Sequence, residues 1–411
     1  MSKRKHCDDE MDDKREHKNQ FPDYGAGPDI INSDGQLCGE LATKIQAFVP
    51  AMLVRMEEGL KYNSDERDYS IYTGTTGIAL LYLHLYKIFD SSEYLKRAKS
   101  YVKLGLRQMR GRRQTFLCGD AGPLAVGAVV YNILGNESYS QELLSKLKDM
   151  HVEVLSPEFG LPDEILYGKA GYLYSLLFVQ KRLGKAIITD ELVQKVCNTI
   201  FASGKSLARE EKSKSPLMYM WHEKHYIGAA HGISGILYLL MQVDLAGVKS
   251  YYDSLIKPSV DFIDDLKFPS GNYPSSLSNK SDRLVQWCHG APGVIYMLLQ
   301  AYKIFGEQKY LDHAKACGDV IWERGLLKKG YGICHGTAGN GYGFLALYQV
   351  TKDPKDLYRA SKFAEWCTAY GKHECRTPDR PYSLFEGMAG AVYFLADILT
   401  PGAAKFPAFE L

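Results

Sequence analysis

Two adjacent Cys-His pairs stand out: Cys288–His289 in WCHGAPG, and Cys334–His335 in ICHGTAG, each set directly before a Gly-x-x-Gly turn. Cysteine sulfur and histidine nitrogen are preferred zinc ligands, and a catalytic zinc keeps three protein ligands and one open position. Cys288, Cys334 and His335 supply that number, with His289 beside them. An open position takes an incoming thiol as thiolate, because coordination removes its proton outright. That gives a nucleophile without high pH. The spacing is not that of a zinc finger, since two ligands are adjacent and the third lies in a separate motif. Two buried cysteines beside turn histidines would read the same way, free Cys being among the most buried residue types.

What sets the pairs apart is the frame around them. Gly-x-x-Gly followed by an apolar helix of about three turns occurs seven times, with first glycines at Gly74, Gly119, Gly168, Gly232, Gly290, Gly336 and Gly387. Their separations, roughly 45 to 65 residues, fall in the range of repeat architectures. Between copies runs a more polar helix with a Leu three residues before an Ala: Leu95–Ala98, Leu311–Ala314 and Leu357–Ala360. Each unit is therefore a helix pair. A helix apolar all round must be buried on every side. Seven such helices backed by seven amphipathic ones make an all-α closed double ring, apolar helices inside, and no segment alternates strongly enough to need a sheet. An amphipathic pattern from about Leu41 predicts a further helix, with Pro50 near its middle or at a break.

In such a ring the N-termini of the inner helices converge at one end, which favours anions and thiolates. The residues just before the glycines line that mouth, and the chemically capable ones cluster in copies four to seven: His231, Cys288, His289, Cys334, His335 and Glu386. His231 and His289 titrate near neutral pH and are the candidates for proton transfer; a structural residue at a tight turn is the alternative for His231. For Glu386 and Glu164 a capping or solvated carboxylate is the commoner fate. Lys328, Lys329 and Arg376 could hold carboxylates of a peptidic substrate, although such residues are mostly solvated. His222, His225 and Cys375 have no spacing that suggests a role.

The bulk numbers exclude several classes. A chain of 411 residues, 45% hydrophobic and 24% charged, is ordinary for a soluble globular protein. Its formal net charge of +2 argues against a dominant nucleic-acid or membrane-surface role. There is no apolar run of bilayer length, no signal-peptide pattern, and Ser2 where myristoylation needs Gly. Nine scattered cysteines do not make a disulfide framework, so a reduced, cytoplasmic setting is expected. Residues 1–20 are charged and nearly free of large apolar side chains, which predicts a disordered tail before one domain spanning 21–411. Its Lys3-Arg4-Lys5 cluster is either a weak nuclear or membrane-surface tag or simply solvated.

The turns WCHGAPG, GYGICHGTAGN, FLCGDAGPLAVGAV, AAHGISG and RPYSLFEGMAG, with the ending FPAFEL, closely resemble the eukaryotic LanC-like proteins, relatives of the bacterial lanthipeptide cyclases. The likeness covers essentially everything after the tail, and the chain lacks the Met-Gly start of the lipid-anchored vertebrate member. The resemblance implies an α/α toroid holding one Zn2+ on Cys288, Cys334 and His335, with glutathione as co-substrate. It assigns roles toward glutathione or catalysis to His231, Lys329 and Arg376. It also implies addition of the glutathione thiol to dehydroalanine or dehydrobutyrine in proteins, including residues left when phosphoproteins such as kinases lose phosphate. The bacterial enzymes have a Tyr at the place of His289 and an Asp near that of Glu164. They carry an Arg at the place of Leu284, with Arg283 one step off here. Two rival classes are a non-catalytic glutathione-binding signalling adaptor and a prenyltransferase-like subunit, which also sets a zinc thiolate in an α/α barrel.

Overall fold

Helices starting at the seven glycine turns form the inner wall: α2 (Thr75–Phe89), α4 (Ala121–Ile133), α7 (Lys169–Leu183), α9 (Ile233–Leu240), α12 (Ala291–Phe305), α14 (Thr337–Thr351) and α16 (Met388–Asp397). Each packs on the next, and α16 packs on α2, so the ring closes. Outside lie α1 (Gly39–Asn63), α3 (Ser92–Gln108), α5 (Glu137–Asp149), α8 (Asp190–Glu210), α11 (Lys257–Asp264), α13 (Gln308–Arg324) and α15 (Pro354–Cys367). The short α6 (His151–Leu155) and α10 (Ala246–Lys249) fill connections. This computed structural model describes residues 15–25, 30–63, 65 and 67–411. Among them there is no strand, only isolated bridges, and no helix long and apolar enough to cross a membrane. The chain is an α/α toroid of seven helix pairs.

The amphipathic outer helices bury one stripe and the inner helices bury nearly everything. Val102 and Leu95 of α3 face inward, whereas every residue of α2 from Thr75 to Leu85 is buried. The outer helix α1 packs against α16, the last inner helix, and so joins the two ends of the chain. Pro50 sits near the middle of α1, which runs through it for 25 residues, so of the two placements the sequence allowed the structure has the first. The fourth pair departs most from the common pattern. Its inner helix α9 has only eight residues, and its outer member is split into α10, a π-helical turn (Tyr252–Ile256) and α11.

The glycines are explained by crowding. A Cβ on the second glycine of any copy would lie 1.9–2.2 Å from the carbonyl oxygen six residues earlier, as at Gly77 over Ile71 and Gly339 over Ile333. The turn thus folds back onto its own entry strand, and only a residue without a side chain permits it. Of the turn glycines, only Gly290 also has a left-handed backbone, with φ +102°. A methyl there would be 2.1 Å from the Leu284 carbonyl oxygen. Gly290→Ala is expected to cost about 3 kcal/mol or more in urea unfolding, combining strain with a backbone clash. A change under about 0.5 kcal/mol would contradict this account of the turn.

The middle of the ring is filled from below by the C-terminal segment. Phe406 stacks on Trp287 with ring centroids 4.9 Å apart, and Phe409 meets the same indole edge-on at 5.3 Å. Phe385 adds a third ring against Trp287 at 5.6 Å. Such contacts each contribute about 0.5–1.5 kcal/mol beyond the area they bury. They give the mouth a solid aromatic floor.

The expected tail needs a correction. Residues 1–14, with the Lys3-Arg4-Lys5 cluster, lie outside the described residues. Residues 15–20, expected to be disordered with them, are instead packed on the barrel. The His17 N–H donates to Leu326 O at 2.7 Å, the Lys328 N–H to Arg15 O at 2.9 Å, and Asn19 Nδ2 to Trp322 O at 2.7 Å. His17 also lies 5.3 Å from the Trp366 ring. Composition misses this because a few backbone bonds and one ring hold a segment that has almost no apolar content.

Candidate metal centre

The residue immediately before the first glycine is partly exposed in all seven copies: Thr73, Cys118, Tyr167, His231, His289, His335 and Glu386. Its predecessor is buried in six of them, Tyr72 being the exception. The turns are laced together by backbone hydrogen bonds that run around the mouth. Cys288 N–H donates to Cys334 O (3.3 Å), Cys334 N–H to Phe385 O (2.8 Å), Phe385 N–H to Tyr72 O (3.0 Å) and Tyr72 N–H to Leu117 O (3.0 Å). Two cysteines 46 positions apart are therefore fixed side by side by their own main chains.

That lacing brings Cys288 Sγ, Cys334 Sγ and a His335 ring nitrogen within 4.8 Å of one another. It is the one such cluster of potential metal ligands among the described residues. Both sulfurs are buried and the imidazole is partly exposed. Tyr72 Oη donates to Cys334 Sγ at 2.8 Å and Gln286 Nε2 to Cys288 Sγ at 3.1 Å. Such donors stabilise thiolate charge and orient each sulfur. The two thiols are pushed in opposite directions. A hydrogen bond from Cys334, with help from His289 and His335, holds Cys288 well below the usual thiol range. Burial, together with the Cys288 charge, pushes Cys334 well above it. Burial likewise keeps Tyr72 protonated, so it serves as a donor.

His231 and His289 sit on the rim next to this cluster. His231 Nδ1 is 2.8 Å from Glu164 Oε2, and the Glu164 side chain is only 2% exposed. Glu164 also accepts the N–H groups of Leu166 (2.8 Å) and Tyr167 (2.6 Å). It is thus a capping carboxylate, as the commoner fate had it, and also the orienter of His231. The solvated alternative is excluded. With Nδ1 donating to the carboxylate, Nε2 of His231 is the nitrogen left for a ligand. His289 Nδ1 is buried with no hydrogen-bond partner among the described residues. Tyr226 lies between the two rings, 5.8 Å from His231 and 5.7 Å from His289.

The loops that carry the two basic candidates are joined by their main chains. The Arg376 N–H donates to Lys328 O at 2.8 Å, which joins its loop to the Lys328–Lys329 turn. Both Lys329 and Arg376 are exposed, and Arg376 pairs loosely with Asp379 at 3.0 Å. Lys329 is close enough for its charge to act on Cys334. His225 is structural, tied to Tyr219 O (3.0 Å) and Glu211 (3.0 Å). His222 lies 4.2 Å from the Trp221 ring at a tilt of 59°, and Cys375 lies beside His17 and Leu327 O. Sequence reasoning missed Tyr72 and Gln286 as sulfur donors. Tyr72 is the counterpart of Cys334 in the first copy, and only that register hinted at it.

The fold and site together define a toroid of seven helix pairs whose glycine turns gather a Cys-Cys-His cluster at one mouth. The lanthionine synthetase C-like protein family matches residues 65–411, and the chain belongs to that family. It is 52% identical over 406 residues to a Danio rerio protein named glutathione S-transferase LANCL1, covering 98% of this chain and all of that one. Among solved structures it is similar to nisin cyclase, with a TM-score of 0.63 and 16% identity, over 86% of this chain and 94% of the other. At that identity the second likeness speaks for the fold.

Proposed function

We propose that this chain adds the thiol of glutathione to dehydroalanine and dehydrobutyrine residues of proteins, with one zinc ion as cofactor. The observation that carries the reading is the meeting of Cys288, Cys334 and His335 within 4.8 Å at a partly exposed mouth. Two thiols and an imidazole, with hydrogen-bond donors on both sulfurs, suit zinc and leave a fourth position for a ligand. Zinc held there would supply the positive charge that keeps an incoming thiol deprotonated at neutral pH. The name of the Danio rerio relative supports glutathione as the thiol.

The residues of this chain then have separate tasks. Lys329 and Arg376 pair with the glutathione carboxylates and aim the cysteinyl sulfur toward the mouth. The thiol gives its proton to a rim imidazole, and the sulfur bonds to the β-carbon of the dehydro residue. The Cα=Cβ pair moves onto the carbonyl oxygen, and the enolate takes a proton at Cα. His231, held by Glu164, is the donor we favour, with His289 second. Nothing leaves, so the adduct is the sum of thiol and alkene. Cys118, Cys197, Cys317, Cys367 and Cys375, like Cys288 and Cys334, form no disulfide among the described residues, and a cytoplasmic setting rich in glutathione fits this chemistry.

Mass spectrometry of a dehydroalanine peptide incubated with glutathione and zinc-loaded protein tests the reading. The expected product is one glutathione adduct per dehydroalanine. Lys329→Ala and Arg376→Ala should each raise the KM for glutathione about 5- to 20-fold with a smaller change in kcat. No adduct from zinc-loaded protein that still binds glutathione would favour the adaptor instead.

A further inference from the structure

The loop between α3 and α4 presents Arg110-Gly111-Arg112-Arg113 at the mouth, and no task above uses it. It is a built loop. Asp120, 6% exposed, accepts the Gly111 N–H at 2.7 Å and the Arg110 N–H at 3.4 Å, while its own N–H donates to Arg113 O at 2.9 Å. Gly111 makes the turn with φ +66°. The Arg113 guanidinium lies over the Tyr167 ring at 4.6 Å, and Arg110 reaches back to Arg67 O at 3.4 Å.

These side chains, with Arg67 and Arg380, line a cavity of about 570 Å³ whose wall has five arginines and two aspartates. Both aspartates are engaged. Asp65 holds Arg380 at 3.1 Å, and Asp68 accepts the hydroxyls of Ser70 (2.7 Å) and Thr73 (2.6 Å). Arg67, Arg112 and Arg113 have no carboxylate partner among the described residues. For a chain of formal net charge +2, this is a local concentration and not a general basicity. The cavity also opens onto the reaction mouth: Tyr72, which donates to Cys334 Sγ at 2.8 Å, is part of its wall, as are Cys118 and Tyr167.

We propose that this cavity is a subsite for a phosphorylated side chain of the polypeptide that carries the dehydro residue. The inference rests on the reading given under Proposed function. Lys329 and Arg376 are not part of this wall, so the glutathione carboxylates have partners elsewhere and the arginines fall to the second substrate. Guanidinium forks match phosphate oxygens two at a time, and several around one pocket select a dianion over a single carboxylate. A lipid headgroup would need an apolar flank beside the charge. None of the exposed large apolar side chains lies in this wall.

The test uses zinc-loaded full-length protein and paired peptides of one sequence, each with one dehydroalanine. One carries phosphoserine three residues away and the other serine. Wild type should convert the phosphorylated peptide with kcat/KM about 10-fold higher or more, and Arg112→Glu should bring the ratio to about one. Zinc content and circular dichroism of the variant guard against misfolding. A second arm follows fluorescence anisotropy of the same pair with alanine in place of dehydroalanine. The phosphorylated member should bind tighter, be displaced by inorganic phosphate, and lose its advantage in Arg112→Glu. If neither dehydroalanine peptide is converted, the proposed reaction fails while anisotropy still decides the subsite. Equal binding of both alanine peptides, or a preference that survives Arg112→Glu, overturns the subsite. Arg112-dependent binding to phosphatidylcholine vesicles containing a phosphoinositide, without any phosphopeptide preference, would also overturn it and assign the cavity to a membrane surface.

Discussion

Cys334→Ala should take zinc content from about one per chain to below roughly a tenth after dialysis, and thiol addition down by about 10³-fold or more. Three side chains form the proposed set, and their donor atoms lie within 4.8 Å of one another. Removing one leaves two, too few to hold zinc against water and buffer. The Tyr72 hydroxyl would also lose the sulfur it now meets at 2.8 Å. The barrel should survive, because its core is a closed ring of buried helices that needs no metal staple. Far-UV circular dichroism should be unchanged and the melting temperature should move by less than about 5 °C. Zinc chelation of wild type should reproduce the variant: no addition and an intact fold. Full addition by metal-free protein would remove the zinc from the mechanism. Collapse of the barrel on chelation would instead make the site structural.

His231→Ala should lower kcat for addition by about 10²- to 10⁴-fold while zinc content and glutathione binding stay near wild type. Three contacts on Glu164 set the size of this effect. A 2%-exposed carboxylate fixed by two turn N–H groups holds Nδ1 of a rim imidazole at 2.8 Å, so the other nitrogen has a set direction. Glu164→Gln keeps an acceptor but not its charge. It should cost on the order of tenfold, the difference of ~1–1.5 kcal/mol between a charge-assisted and a neutral hydrogen bond. His289→Ala separates the candidates, because its Nδ1 has no partner among the described residues to orient it. If His289→Ala abolishes addition and His231→Ala does not, the roles are exchanged. Near-normal rates in both variants would mean that solvent protonates the enolate.

The sequence by itself determined the repeat and the donors. Glycines recurring three apart, each followed by an apolar helix, report a crowding constraint that acts within six residues, and a local constraint leaves a local signature. The Cys-His pairs could be read for the same reason, since each sits at a fixed place in that motif. The cue failed where the packing partners lie far apart in the chain. Pro50 left a continuous helix and a break equally open, and α1, packed against α16, runs through it. Residues 15–20 read as tail and are bound by backbone groups that composition does not register.

Only the tertiary structure decided which copies become neighbours. Closing the ring sets α16 against α2, and so brings Tyr72 to Cys334, 262 positions away, and Phe385 between them. Packing of successive copies lets Glu164 reach His231 across 67 positions, and the C-terminal segment seats Phe406 and Phe409 against Trp287. Helical periodicity tells a residue which way to face. It says nothing about what it will face until both ends of the chain have met, because that is settled by the number of pairs needed to close the ring.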